Sequence, residues 1–164
     1  MSHAILSMAD NNFITQSLNY QKRVTVHWVL QTSALILITV AQTCIFINKN
    51  RYGKNHYQTT HSLFGLTAYL LTVLSTLGGV FTKYSFQLKH IMKPLLAKAL
   101  HSFSGLLAYV LGIITICTGI NQTWNNSYDP AVKPIIYVLL FITTLYVSIK
   151  SFILFASRAS SLMK

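Results

Sequence analysis

The sequence predicts an all-α integral membrane protein, a four-helix antiparallel bundle, and three observations carry that prediction. The chain of 164 residues is 52% hydrophobic and only 9% charged, with a mean hydropathy of +0.49, too apolar for an ordinary soluble domain. Four stretches approach or exceed the roughly 20 apolar residues that cross a bilayer as a helix. The alternating strands of about 10 residues that build a membrane barrel are absent. A chain in lipid must satisfy its backbone internally, which leaves helices.

Residues 1–23 form an N-terminal segment. Its apolar run Ala4–Met8 is too short for the core of a signal peptide. Spans follow over Val24–Asn48, Thr60–Thr82, Ala99–Ile120 and Pro134–Ser157, so the membrane domain covers 24–157 and a tail covers 158–164. Lys150 lies near enough to the end of the last span to snorkel. The connectors are short, so consecutive helices are antiparallel neighbours. Cys44 and Cys117 each fall inside a span, without CxxC or zinc spacing, and read as small packing residues.

Charge narrows the chemistry. The chain contains no glutamate, and Asp10 and Asp129 are its only acids. That excludes carboxylate-based catalysis and a carboxylate proton relay within the bilayer. The net charge of +11 is spread between the spans, which marks membrane-flanking cations rather than a nucleic-acid footprint. Lys22, Arg23, Lys83, Lys89, Lys93, Lys98, Lys150, Arg158 and Lys164 fall on one side, against Lys49, Arg51, Lys54 and Lys133 on the other. The excess places both termini in the cytosol. The glycosylation sequons Asn121-Gln-Thr123 and Asn125-Asn-Ser127 fall on the far side, in agreement.

The motif that carries chemistry is a repeat. His61-Ser-Leu-Phe-Gly-Leu-Thr-Ala-Tyr-Leu-Leu71 returns forty residues later as His101-Ser-Phe-Ser-Gly-Leu-Leu-Ala-Tyr-Val-Leu111, with seven of eleven positions identical. Each copy puts an ionisable side chain at the mouth of an apolar helix, as His27 does in the first span. Such residues are costly in lipid and point to function. Alternating helix direction puts His27 and His101 on the cytosolic side and isolates His61 on the other. Two neutral imidazoles from facing helices suit a six-coordinate haem, which with both axial positions filled carries electrons and does not bind oxygen. Zinc would need three or four converging ligands, and no cysteine or carboxylate is near. At helical offsets of 4, 7, 11, 14 and 18 from His101 stand Gly105, Ala108, Gly112, Thr115 and Gly119. From His61 stand Gly65, Ala68, Thr72, Ser75 and Gly79. A face this small admits a flat macrocycle, and it equally admits close packing of membrane helices without any cofactor. The rival reading is therefore a haem-free membrane protein that packs or associates with partners.

The residues His27-Trp-Val-Leu-Gln31, Gly53-Lys-Asn-His56, Thr60-His61-Ser-Leu-Phe-Gly65 and Pro94-Leu-Leu-Ala-Lys98, leading to His101-Ser-Phe-Ser-Gly105, resemble the cytochrome b561 family. The likeness is to its short, domain-only transmembrane reductases and covers about residues 4–155. The resemblance implies a truncated form of a six-helix, two-haem fold, with the four spans corresponding to helices three to six. It implies haem b bound through His27 and His101, with Gly65 and Gly105 beside the rings. His61 would hold a second haem whose other ligand, on the absent second helix, must come from elsewhere, such as a second copy of the chain. His3 lies near the wrong end of that helix to replace it. Ascorbate is the implied cytosolic electron donor, with Lys22, Arg23 and Lys98 attracting it. Ferric iron or monodehydroascorbate is the implied acceptor, near Lys54 and His56.

Overall fold

The computed structural model describes residues 1–8, 15, 17–124 and 131–162. Asp10, Asp129, Lys164 and the sequon at Asn125 lie outside them. A short helix α1 (Ser2–Leu6) precedes four long ones: α2 (Tyr20–Arg51), α3 (Thr60–Lys83), α4 (Pro94–Thr123) and α5 (Val132–Leu162). No strand occurs among the described residues. All four long helices are long and apolar enough to cross a membrane, and the protein is an integral, multi-pass membrane bundle. At 1.5 Å per residue α2 is about 48 Å long, so it reaches beyond the hydrocarbon at its ends.

Helix ends follow local chemistry and run past the apolar spans. Asn19 caps α2 by accepting from the Lys22 amide at 2.9 Å, which brings the polar turn 20–23 into the helix. Pro94 starts α4 from its first turn, where a missing N–H costs nothing. At α3, Thr59 accepts from the Ser62 amide while the Ser62 hydroxyl accepts from the Thr59 amide, a reciprocal cap. Thr59→Ala is therefore expected to cost about 1 kcal/mol at that end. Hydrogen exchange of the Thr60–Leu63 amides, faster by about fivefold, checks it.

Packing is inverted relative to a soluble protein. The buried residues are small or polar: Ala68, Ala97, Ala99, Ala108, Thr72 and Ser75, with Tyr109 and Val147 the bulky exceptions. Large apolar side chains such as Leu37, Leu74, Phe141 and Phe152 point outward, where lipid is their solvent. Buried hydroxyls turn back on their own helices, as Thr72 does to the Ala68 carbonyl at 2.8 Å. Cys44 is exposed on α2 rather than packed, and Cys117 is half-buried.

Tertiary contacts confirm the antiparallel order. Thr82 reaches the Ala97 carbonyl and His61 reaches Thr115 between α3 and α4, which pack closely along their length. Tyr137 joins α5 to Cys117 and Asn121 on α4, and Arg158 joins it to Ser102. Helix α2 touches α3 at few points, through Thr39 and Tyr69 for example, and stands away from α4. The N-terminal segment is not a free tail. Ala4 is 1% exposed, α1 packs on α2 and α5, and the Ser2 hydroxyl reaches Tyr109.

Candidate functional site

The sequence repeat becomes a reciprocal contact in space. His101 of α4 donates Nδ1–H to the Ser75 carbonyl of α3 at 3.0 Å, and His61 of α3 donates to the Thr115 carbonyl of α4 at 2.9 Å. Ser75 stands fourteen residues after His61 and Thr115 fourteen after His101, so each histidine uses the same position of the other copy. Each ring then lies on a glycine one turn further along. A Cβ on Gly79 would meet His101 Cε1 at 3.1 Å, and one on Gly119 would meet His61 Cε1 at 2.9 Å.

The small face thus serves first to let α3 and α4 approach. A Cβ on Gly65 would meet Thr115 Cγ2 at 3.3 Å, and one on Gly105 would meet Ser75 Oγ at 3.3 Å. Close helix packing is enough to account for Gly65. Gly105 has a second role, because it also lines a cavity of about 320 Å³ bounded by α2, α3, α4 and α5.

That cavity contains the paired histidines. His27 donates Nδ1–H to the Ala4 carbonyl of α1 at 2.6 Å. The centroids of His27 and His101 are 6.1 Å apart, with ring planes at 88°. Since a carbonyl can only accept, both Nδ1 atoms carry the proton, and Nε2 is left as the lone-pair donor of each ring. Such second partners fix tautomer and orientation in metal-binding histidines. Two neutral imidazoles with free Nε2 atoms, lining one cavity, are a donor set that suits a b-type haem. Among the described residues no three His, Cys, Asp or Glu side chains gather as a metal cluster, so paired imidazoles are what this end offers.

Cations crowd the same cavity. Lys83 lies over the Trp28 and Tyr84 rings at 5.4 and 5.8 Å, and Lys98 over Phe86 at 5.7 Å. Lys83, Lys98 and Arg158 line it together. Of the three cations singled out from the sequence at this end, Lys98 reaches the cavity. Lys22 and Arg23 stand on the first turn of α2 outside its lining, Lys22 exposed and Arg23 half-buried.

His61 is at the opposite end of the bundle, beside a second, shallower cavity of about 310 Å³ lined with Ile116, Gly119, Ile120, Thr123 and Trp124. Among the described residues no second histidine lines it. On the same side His56 donates to the Asn50 side-chain oxygen at 2.8 Å and stacks on Phe46 at 4.4 Å. Lys54 is exposed beside Tyr52. The structure does not bring either to His61.

Several partners were not legible in the sequence. The carbonyls of Ala4, Ser75 and Thr115 carry no side-chain signal, Ser85 falls in a connector, and Arg158 registers only as a flanking charge. The repeat itself was the available clue, because matched histidines on adjacent antiparallel helices predict matched partners.

The family model of eukaryotic cytochrome b561 matches residues 1–126. Over 80 residues the chain is 34% identical to the transmembrane reductase CYB561D2 of Bos taurus and to that of Homo sapiens, and 32% identical to that of Mus musculus. The matched stretch covers 49% of this chain and only 36% of each relative. No solved structure matches the chain. With the family model spanning most of the molecule, including all three histidines at the helix mouths, the chain belongs to the eukaryotic cytochrome b561 family.

Proposed function

We propose that the protein carries electrons across its membrane, from ascorbate at the end bearing His27 and His101 to ferric iron or monodehydroascorbate at the end bearing His61. The observation that carries this reading is the His27–His101 pair, held with both Nδ1 protons on backbone carbonyls across a gap between α2 and α4. His27 and His101 would hold haem b, and Gly105 keeps that wall free of side-chain bulk. Bound there, the haem would supply one-electron chemistry.

The chain's own residues set the rest. The Ser75 and Ala4 carbonyls hold the two rings in register. Lys83 and Lys98 give the cavity a positive field that draws an anionic donor, and Trp28, Tyr84 and Phe86 hold those ammonium groups in place. Each ascorbate monoanion gives up one electron and one proton to become monodehydroascorbate, and each ferric ion takes one electron to become ferrous. The excess of cations at the donor end supports a cytosolic location for that end and for both termini. At the far end Lys54 and His56 are the groups that meet the acceptor, and His61 serves a second haem where another chain supplies its partner.

A haem-free packing protein is the second reading, favoured by the use of Gly65 and its neighbours in the α3–α4 contact. A reduced-minus-oxidised spectrum of the purified protein in mild detergent separates the two, with haem counted per chain. About one low-spin b haem per chain is expected from the complete histidine pair. Two would mean that His61 finds a partner, and none in a folded protein would leave the packing reading.

A further inference from the structure

Arg158 is a cation that histidine ligation does not explain. It stands near the end of α5, half-buried, and reaches α4, where Nη1 donates to the Ser102 hydroxyl and, at 3.4 Å, to the Lys98 carbonyl. Both acceptors are neutral. The described residues contain no aspartate or glutamate, so none of them offers a carboxylate to pair with it. A guanidinium has five N–H donors in a planar fork and keeps its charge, so the two contacts made by one nitrogen leave donors to spare. A cation at the rim of an apolar bundle is costly until an anion joins it.

A second observation points into the same cavity. Ser85, in the connector between α3 and α4, is 1% exposed, and its hydroxyl has no hydrogen-bond partner among the described residues. A buried hydroxyl left unpaired keeps its full desolvation penalty, so such a group signals a missing partner. Ser85 and Arg158 line one cavity, with Lys83 and Lys98 beside them. Three cations would repel a metal ion arriving alone. A forked donor and a free hydroxyl instead complement a negatively charged pair of oxygens.

We propose that Arg158 and Ser85 clamp the paired oxygens of an anion inside this cavity, next to His27 and His101. The proposal rests on the functional reading above, which brings two such anions here: a haem carboxylate and the ionised ene-diol of ascorbate. The clamp makes Arg158 a positioning residue, acting through the orientation of what it holds.

Full-length protein stripped of haem in detergent is titrated with haem and with haem dimethyl ester, whose carboxylates are blocked. The wild type is expected to prefer haem by about tenfold or more, the worth of one charge-assisted hydrogen-bonded pair. Arg158→Gln brings that preference close to one. Arg158→Lys keeps charge without the fork and falls between, and Ser85→Ala, which deletes a single oxygen, reduces it in part. Alternatively the haem preference stays intact while the ascorbate concentration for half-reduction rises about tenfold in both Arg158→Gln and Ser85→Ala, which assigns the clamp to the donor. Variants unchanged in both titrations overturn the clamp and leave the electron-transfer reading standing. A folded wild type that binds neither form of haem overturns both.

Discussion

His101→Ala is expected to abolish the haem binding proposed for the cavity between α2 and α4, taking the count at that end from about one per chain to less than a tenth. Losing only the hydrogen-bond partner behind a metal ligand costs about 10–100-fold in affinity, and losing the ligand itself costs at least that. The alanine also removes the extra donor that the His101 ring gives the Ser75 carbonyl at 3.0 Å inside a close helix contact. The ring's bulk over Gly79 goes with it. Helical content and detergent stability separate loss of the ligand from loss of the fold. His101→Met provides the rescue, since a thioether restores an axial ligand and raises the potential relative to bis-histidine ligation. His61→Ala is expected to leave the same haem in place, because that ring lies at the other end of the bundle against Gly119. A spectrum unchanged in His101→Ala would remove the pair from the mechanism.

The spans were legible because lipid imposes a simple rule, and their number, order and antiparallel direction follow from it. The helix ends were less so. Asn19 extends α2 over the polar turn containing Lys22 and Arg23, and Pro94 starts α4 five residues before the apolar run. Hydropathy does not respond to either, whereas capping chemistry does. The histidine pair was legible from alternation alone: helices that enter from the same face put their opening residues together.

The small face was ambiguous for a physical reason. Glycine and alanine at helical spacing record that something flat or close lies opposite without recording what. In the structure, Gly65 faces Thr115 within the α3–α4 pair, while Gly79 faces the His101 ring and Gly105 faces Ser75, and both of these also line the cavity. The pairing of His61 with Thr115 and of His101 with Ser75 depends on helix register, which no single helix encodes. The role of Ala4 was hidden further still, since any residue supplies a carbonyl and only α1's docking brings this one to His27.

That reciprocal register yields the second large prediction. Gly79→Leu is expected to remove the proposed cavity haem nearly as completely as His101→Ala, with His27 and His101 both still present. Even a Cβ at this position comes within 3.1 Å of His101 Cε1, and the ring cannot turn aside without leaving the Ser75 carbonyl. Forcing bulk into a close-packed contact costs about 1–3 kcal/mol where the neighbours can shift. Here the neighbour that shifts is the proposed ligand, so the cost should appear in haem affinity before it appears in unfolding. Gly119→Leu makes the same change at the mirror position, where a Cβ would lie 2.9 Å from His61 Cε1, and it displaces only the His61 ring. The haem proposed for His27 and His101 should therefore survive Gly119→Leu and be lost in Gly79→Leu. Equal loss in both variants would mean that the α3–α4 contact fails as a unit. Retention in both would mean that the His101 ring is free to move away from Ser75, and that its tautomer is set by something other than that carbonyl.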